Sequence, residues 1–353
     1  MTRIAKVCAV QLIGVLAIAT GAQERPRENA TLTAVPGLEV GHVTLTERPT
    51  GCTVVLAERG AVAGVDVRGA APGTRETDVL DPANAVAQVQ AIVLAGGSAY
   101  GLDAASGVVR YLDERGIGFG VASHGVQVTV PIVPAAVLID LGVGGRPDVR
   151  PDAECGYRAA AAANDGVVAE GSVGAGAGAT VGKIAGFQRA MKGGIGSAAV
   201  RLPDGLIVAA LVAVNALGDV IDPASGQVVA GVRTPDGRGL ADARVLLRSG
   251  GASPPIGGNT TLGVVATNRA LTKVQATKMA QMAQDGFARA INPIHTQVDG
   301  DTIFALSTGT DTAPADLTRI GALAADVTAA AIVRAARQAT GVPGCPAVRD
   351  LAR

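Results

Sequence analysis

The chain has 353 residues, 48% of them apolar but only 2% aromatic, with no Trp and 48 Gly. Lys plus Arg and Asp plus Glu balance at 30 each, which indicates neither a basic nucleic-acid surface nor a polybasic membrane patch. The apolar share supports a sizeable core, which Ala, Val and Gly must build through close backbone approaches.

Residues 1–22 carry Arg3 and Lys6, an apolar run from Val7 to Ala19, and small residues up to Ala22. This is the layout of a secretory signal, shorter than the ~20 apolar residues of a membrane span. It predicts an exported protein, periplasmic or secreted, with no membrane attachment after signal removal. A buried first strand or helix is the alternative. Cys8 lies in the signal with no Leu-x-x-Cys lipobox before it. Cys52, Cys155 and Cys345 are an odd set without metal-like spacing. One disulfide fits an oxidising compartment, and the sequence does not choose the pair.

Residues 23–35 read as a mobile polar arm, and 36–353 as a single mixed α and β domain. Short apolar runs at 52–56 and 92–94 read as strands. Leu102, Ala105, Val109 and Leu112 have helical spacing, closed by Gly116. Residues 126–133 and 136–141 read as strands interrupted by Pro131 and Pro134, and 152–164 as an Ala-rich helix. A glycine-dense loop follows at 171–182. Segments 198–202 and 206–215 flank Pro203-Asp204-Gly205, a hairpin turn by its chemistry. Residues 217–258, rich in Gly, Pro, Asp and Ser, read as a linker or cleavable loop. A strand at 260–267, a helix at 273–291 and a strand at 302–306 come next. Leu317, Ile320, Ala324, Val327 and Ala331 form the stripe of a last helix, with Pro314 before it and Gly341 after it.

Several motifs fail on inspection. Gly178-Ala-Thr-Val-Gly182-Lys183-Ile184 resembles a phosphate loop, but Ile184 stands where magnesium needs Ser or Thr. Gly96-Gly-Ser-Ala-Tyr-Gly101 has dinucleotide glycine spacing without the acidic residue that holds a ribose. Its Ser98 misses the hydrolase elbow because Tyr100 replaces the last glycine. His42, His124 and His295 do not cluster as metal ligands and read as hydrogen-bonded structural residues. No metal or organic cofactor is called for.

The junction Gly257-Gly258-Asn259-Thr260-Thr261 sets a hydroxyl between a flexible loop and an apolar strand. Attack of Thr260 on the Asn259 carbonyl would release a terminus that joins nucleophile and base. An α-amine with a pKa near ~8 is partly neutral at pH ~7 and accepts the hydroxyl proton. The same residues also spell an ordinary loop entering a strand. Downstream, Asp299-Gly300-Asp301 precedes a strand, where residues two apart point to one side. The pair reads as two carboxylates tuning a nucleophile, or as a polar turn.

At these residues the chain resembles the DmpA-type family of L-aminopeptidase/D-esterases. That family includes β-peptidyl aminopeptidases and endo-acting 6-aminohexanoate (nylon) oligomer hydrolases. The matching phrases are Val35-Pro-Gly-Leu-Glu-Val-Gly-His42, Leu94-Ala-Gly-Gly-Ser-Ala-Tyr-Gly-Leu102 and Gly174-Ala-Gly-Ala-Gly-Ala-Thr-Val-Gly-Lys183. Asn259-Thr-Thr-Leu-Gly-Val-Val-Ala-Thr267 and His295-Thr-Gln-Val-Asp-Gly-Asp-Thr-Ile-Phe-Ala-Leu306 complete the set, in family order.

The resemblance implies an α+β fold, a four-layer αββα sandwich of the DmpA and ornithine-acetyltransferase type, similar to N-terminal-nucleophile hydrolases. It implies self-cleavage into 36–259 and 260–353, with Thr260 as nucleophile, Asp299 and Asp301 orienting it, Asn215 supporting the oxyanion, and Lys183 stabilising negative charge or depressing the amine pKa by like-charge proximity. Ser98 and Tyr100 are implied substrate contacts. Related enzymes carry a Tyr where Ile139 stands here, which removes one contact unless Tyr100 substitutes for it. The expected substrate is a small peptide, amide or ester, and the family suggests a homo-oligomer of αβ units. An acyltransferase of the ornithine-acetyltransferase type and a non-catalytic binding protein of the same fold are the rival readings.

Overall fold

The computed structural model describes residues 29–252 and 257–351. The expected signal at 1–22 and the start of the arm lie outside the described residues, as does 253–256 of the loop before Thr260.

Nine strands form the main sheet among the described residues. They are β1 (Glu39–Thr44), β2 (Gly51–Val67), β3 (Thr74–Arg75), β4 (Gln88–Ala95), β5 (Ala135–Val137), β6 (Gly194–Arg201), β7 (Ile207–Asn215), β8 (Thr260–Arg269) and β9 (Thr302–Asp311). Their order is β6-β7-β8-β9-β2-β4-β5-β3, with β1 added on β2. Strand β2 belongs to two halves. Residues 52–56 pair with β1 and β4, the register shifts between Leu56 and Ala61, and 62–67 pair with β9.

Because side chains alternate across a strand, each half has two apolar faces to bury. The inner faces meet, Val55, Ile92 and Leu94 of one half sharing a core with Leu211, Leu262, Val264 and Phe304 of the other. The outer face of the first half, with Val54, Val93 and Val137, packs on helices α1 (Ala104–Asp113) and α2 (Ala153–Ala161). The outer face of the second, with Val212, Val265 and Ile303, packs on α3 (Lys273–Ala290) and α4 (Leu317–Gln338). The layers therefore run helix, sheet, sheet, helix, the expected αββα sandwich. Each fully buried Leu, Ile or Phe contributes about 1.5–3 kcal/mol to holding them together.

Strands β8 and β9 run parallel, an arrangement that needs a crossover, and α3 supplies it. A capping box of Thr272 and Gln275 starts that helix, satisfying its first free N–H groups. The crossover sets the starts of β8 and β9 side by side at one end of the sheet.

Three expectations need correction. The arm is anchored from Thr31 onward: Leu32 and Val35 are fully buried, and the Leu32 N–H donates to Ser197 Oγ at 2.8 Å. Residues 217–252 are not a bare linker. They hold strands Asp219–Ile221 and Val228–Ala230 and a helix Ala243–Arg248. Buried Asp219 organises them, accepting from Val232 N at 2.8 Å and Ala243 N at 2.7 Å. The strand read at 136–141 stops at Val137, and Asp140 instead forms a buried ion pair with Arg48 at 3.0 Å.

The disulfide left open by the sequence joins Cys52 on β2 to Cys155 on α2, with Cα atoms 6.3 Å apart. Cys345 remains a free thiol.

Candidate active site

Thr260 opens β8, a strand buried along its whole length between β7 and β9. Its hydroxyl donates to the carbonyl oxygen of Asn259, the residue it would attack. The approach to it is glycine-made. Gly258 has φ +91°, and a Cβ there would lie 2.6 Å from the Phe187 ring.

Asn215 ends β7 directly opposite Thr260 in the ladder. Its Nδ2 donates to the Gly258 carbonyl and to the Ile139 carbonyl, each at 3.1 Å, while its Oδ1 accepts from Thr180 N at 2.9 Å. Lys183, at the end of the glycine-dense loop, is fully buried. Its Nζ reaches the Gly258 carbonyl at 2.5 Å, the Asn215 carbonyl at 2.9 Å and Asn215 Oδ1 at 3.0 Å. Three oxygen acceptors engage all three ammonium hydrogens, the geometry of the charged form. Burial nonetheless pushes the Lys183 pKa down to about 7, with the charge of Asp299 as the largest opposing influence. In the uncut chain these donors hold the Gly258 carbonyl, one residue upstream of the carbonyl implied by the resemblance.

The two carboxylates, Asp299 and Asp301, are both buried. Asp301 Oδ1 accepts from the Thr261 N–H at 2.7 Å, immediately past Thr260. Asp299 accepts from the Thr296 hydroxyl and from Leu217 N at 3.3 Å. Burial pushes the Asp299 pKa up to about 6, and the negative charge of Asp301 adds to the rise. None of the described hydrogen bonds joins either carboxylate to Thr260 itself. Gly300 between them explains how they approach so closely: a Cβ there would lie 2.8 Å from Thr260 Oγ1 and 2.6 Å from the Ala71 carbonyl.

A cavity of about 580 Å³ opens beside this cluster, lined in part by Ile139, Thr180, Phe187, Gly258, Pro343 and Cys345. Ser98 and Tyr100 are not on its wall. Ser98 donates its backbone N–H to the Leu138 carbonyl at 3.0 Å, and Tyr100 is 60% exposed beneath the Arg150 guanidinium. Ile139, by contrast, does line the cavity.

His295, read from the sequence as a hydrogen-bonded structural residue, is hydrogen-bonded, and its partner is Asp301. Its backbone N and its Nδ1 lie 2.9 and 3.0 Å from Asp301 Oδ2. Its place six residues before Asp301, within a phrase shared with the family, was the available signal for that partner. His42, by contrast, meets only Thr53 Oγ1, at 2.9 Å, and burial lowers its pKa to about 4. Among the described residues, no three His, Cys, Asp or Glu side chains gather in a metal-binding arrangement.

The αββα sandwich, with a buried hydroxyl heading one of its central strands, is a variant of the N-terminal-nucleophile (Ntn) hydrolase fold. Solved structures share the fold. A beta-aminopeptidase from Burkholderia sp. superposes with a TM-score of 0.62 at 25% identity, covering 90% of this chain and 88% of that one. An L-aminopeptidase D-Ala-esterase/amidase from Ochrobactrum anthropi gives a TM-score of 0.65 at 20% identity, covering 90% and 89%.

The sequence comparisons are more specific. Residues 30–348 match Peptidase family S58, and the chain belongs to that family. A Mycobacterium tuberculosis protein described as an uncharacterized aminopeptidase is 43% identical, over 91% of this chain and 97% of its own. A 6-aminohexanoate-oligomer endohydrolase from Kocuria sp. is 32% identical, over 86% of this chain and 84% of its own.

Proposed function

We propose that the chain is a precursor that cuts itself between Asn259 and Thr260 and then works as an N-terminal-threonine aminopeptidase or amidase. The observation that carries this reading is the Thr260 hydroxyl held against the Asn259 carbonyl at the head of a buried strand.

In maturation, Thr260 Oγ1 adds to the Asn259 carbonyl carbon. The Asn259–Thr260 C–N bond breaks, the nitrogen takes up the hydroxyl proton, and an ester on Oγ1 results. Water then releases Asn259 as a carboxylate and frees the Thr260 hydroxyl and amine. When the upstream segment leaves, Lys183 Nζ and Asn215 Nδ2 lose the Gly258 carbonyl and become available to a substrate carbonyl whose oxygen turns negative. In turnover the amine accepts the hydroxyl proton, Oγ1 attacks the amide, and the leaving amine departs with that proton. Water hydrolyses the acyl-enzyme. Asp301 and Asp299 hold the head of β8 and the amine in place.

Substrates on this reading are small peptides, amino acid amides or esters, and ω-amino acid oligomers, the last in line with the endohydrolase relatives. Export is part of the proposal, supported by the signal-like residues 1–22 and the Cys52–Cys155 bond. So is association of several cleaved chains. Support comes from the hairpin of Phe119–Ser123 and Val126–Val130, which exposes Phe119, Val121, Val126, Val128 and Val130 on one face.

Intact mass and N-terminal sequencing of the purified protein test the reading, together with hydrolysis of p-nitroanilides and short amide oligomers. A fragment beginning at Thr260, and activity that vanishes in Thr260→Ala, are expected. Activity in a chain whose Asn259–Thr260 bond is intact would overturn the proposal.

A further inference from the structure

We infer that His295 is a positioning residue of this site, acting through Asp301 on the strand head that presents Thr260. The inference rests on the reading of Thr260 as nucleophile given above.

His295 aims two donors at one oxygen. Its backbone N–H and its ring Nδ1 lie 2.9 and 3.0 Å from Asp301 Oδ2. The other oxygen, Oδ1, takes the Thr261 N–H at 2.7 Å. One carboxylate thus ties His295 to the residue that follows the nucleophile, and neither end can rotate without disturbing the other. An ionised carboxylate only accepts, so the contact places a proton on Nδ1. Nε2 is buried without a partner, and the ring lies over Phe287 with centroids 6.1 Å apart and planes 23° apart. Among the described residues, Asp301 is the one hydrogen-bond partner of the imidazole.

The backbone carries the same message. His295 has φ +58°, a left-handed conformation that a residue with a Cβ rarely adopts. Such a conformation persists where the surroundings impose it. Here it accompanies the convergence of backbone and ring donors on Asp301.

The consequence is specific. Without the ring donor, Asp301 loses one of its anchors and the Thr261 N–H no longer fixes the angle at which Thr260 Oγ1 meets a carbonyl. Chemistry slows while substrate binding, which does not involve His295, is left intact. Asn is the conservative variant: its amide Nδ2 falls near the position of imidazole Nδ1, and Asn tolerates the left-handed backbone. Gln places its amide nearer the position of Nε2.

Full-length precursors made by cell-free synthesis provide the test, scored by the rate at which the Thr260 fragment appears and then by kcat and KM on a p-nitroanilide. His295→Ala should mature about tenfold more slowly or worse and lose kcat to the same degree, with KM within about twofold of wild type. His295→Asn should recover most of both rates. Maturation of His295→Ala at the wild-type rate, or equal loss in the Ala and Asn variants, would overturn the inference. If circular dichroism shows the Ala variant unfolded, Asn and Gln decide: a fast Asn and a slow Gln support the inference, and two equally slow variants defeat it. A wild type that never yields the fragment refutes the reading of Thr260 instead, so the two failures are distinct.

Discussion

Lys183 and Gly258 meet across 2.5 Å, an ammonium on a carbonyl two residues ahead of Thr260. On the proposed reading, this buried cation is clamped on the segment that departs at maturation. Were that segment to leave, the same ammonium would face the space vacated by the Gly258 carbonyl.

Lys183→Met removes that clamp and the charge while keeping an unbranched side chain. Loss of one such donor slows chemistry by roughly 100-fold, so appearance of the Thr260 fragment should slow by about that factor. Stability should stay within about 1 kcal/mol of wild type, because the lost bonds are offset by relief of a costly burial. Timed gels and thermal melts check the two halves. A variant that matures normally excludes the lysine from the chemistry.

Gly300→Ala puts a methyl where Thr260 Oγ1 and the Ala71 carbonyl already approach, at 2.8 and 2.6 Å from the ideal Cβ position. Either the hydroxyl moves or the turn does. Overpacking of this kind costs about 1–3 kcal/mol, and maturation should be nearly abolished in protein that still folds. An Ala variant that cuts itself at the wild-type rate would show that the hydroxyl is free to move.

Asp299 titrates at about 6 in the folded protein, above its ordinary 3.8, chiefly because it is buried. A raised carboxyl pKa means the folded state binds the proton more tightly than the unfolded state. Its contribution to stability is therefore full below pH ~4 and lost as pH rises through about 6. Asp299→Asn has no proton to lose, so its stability relative to wild type should improve between pH ~4 and pH ~7, by at most about 3 kcal/mol. Denaturant melts of both proteins across that range measure it, and a difference independent of pH would refute the assignment.

The Cys52–Cys155 bond closes a loop with a sequence separation of 103. Cross-links of that span stabilise by about 4–5 kcal/mol in the chain-entropy account. The Cys52→Ala, Cys155→Ala double variant should melt lower by that order, and a reductant should lower wild type but leave the variant unchanged. Peptide mapping without reduction should show the two cysteines linked; finding both alkylated in the native protein would contradict the bond.

Much of the fold was legible where one physical signal dominated. The 203–205 turn between β6 and β7, the stripe of α4 and the run of β8 follow from turn chemistry and periodicity alone. The region 217–252 was illegible because short elements there gather around the buried Asp219, and a carboxylate in sequence reads as surface. The Arg48–Asp140 pair was hidden for the same reason, its partners lying far apart in the chain. At the site, Asp299 and Asp301 were legible from their spacing ahead of a strand, whereas Asn215 and Lys183 came only through the resemblance; Asn215 lies opposite Thr260 and Asp301 holds the Thr261 N–H. The partner of His295 was not legible, because a lone histidine without ligand spacing carries no signal until the turn before β9 folds it onto Asp301.

Strand β8 lies between β7, which precedes the Asn259–Thr260 bond, and β9, which follows it; β9 in turn pairs with β2 from the beginning of the chain. A cut ahead of Thr260 would therefore leave two pieces laced through a single sheet, with neither able to keep its own edges covered alone. The severed chain should purify, melt and refold as one body, and the pieces should part only under conditions that dismantle the sheet itself.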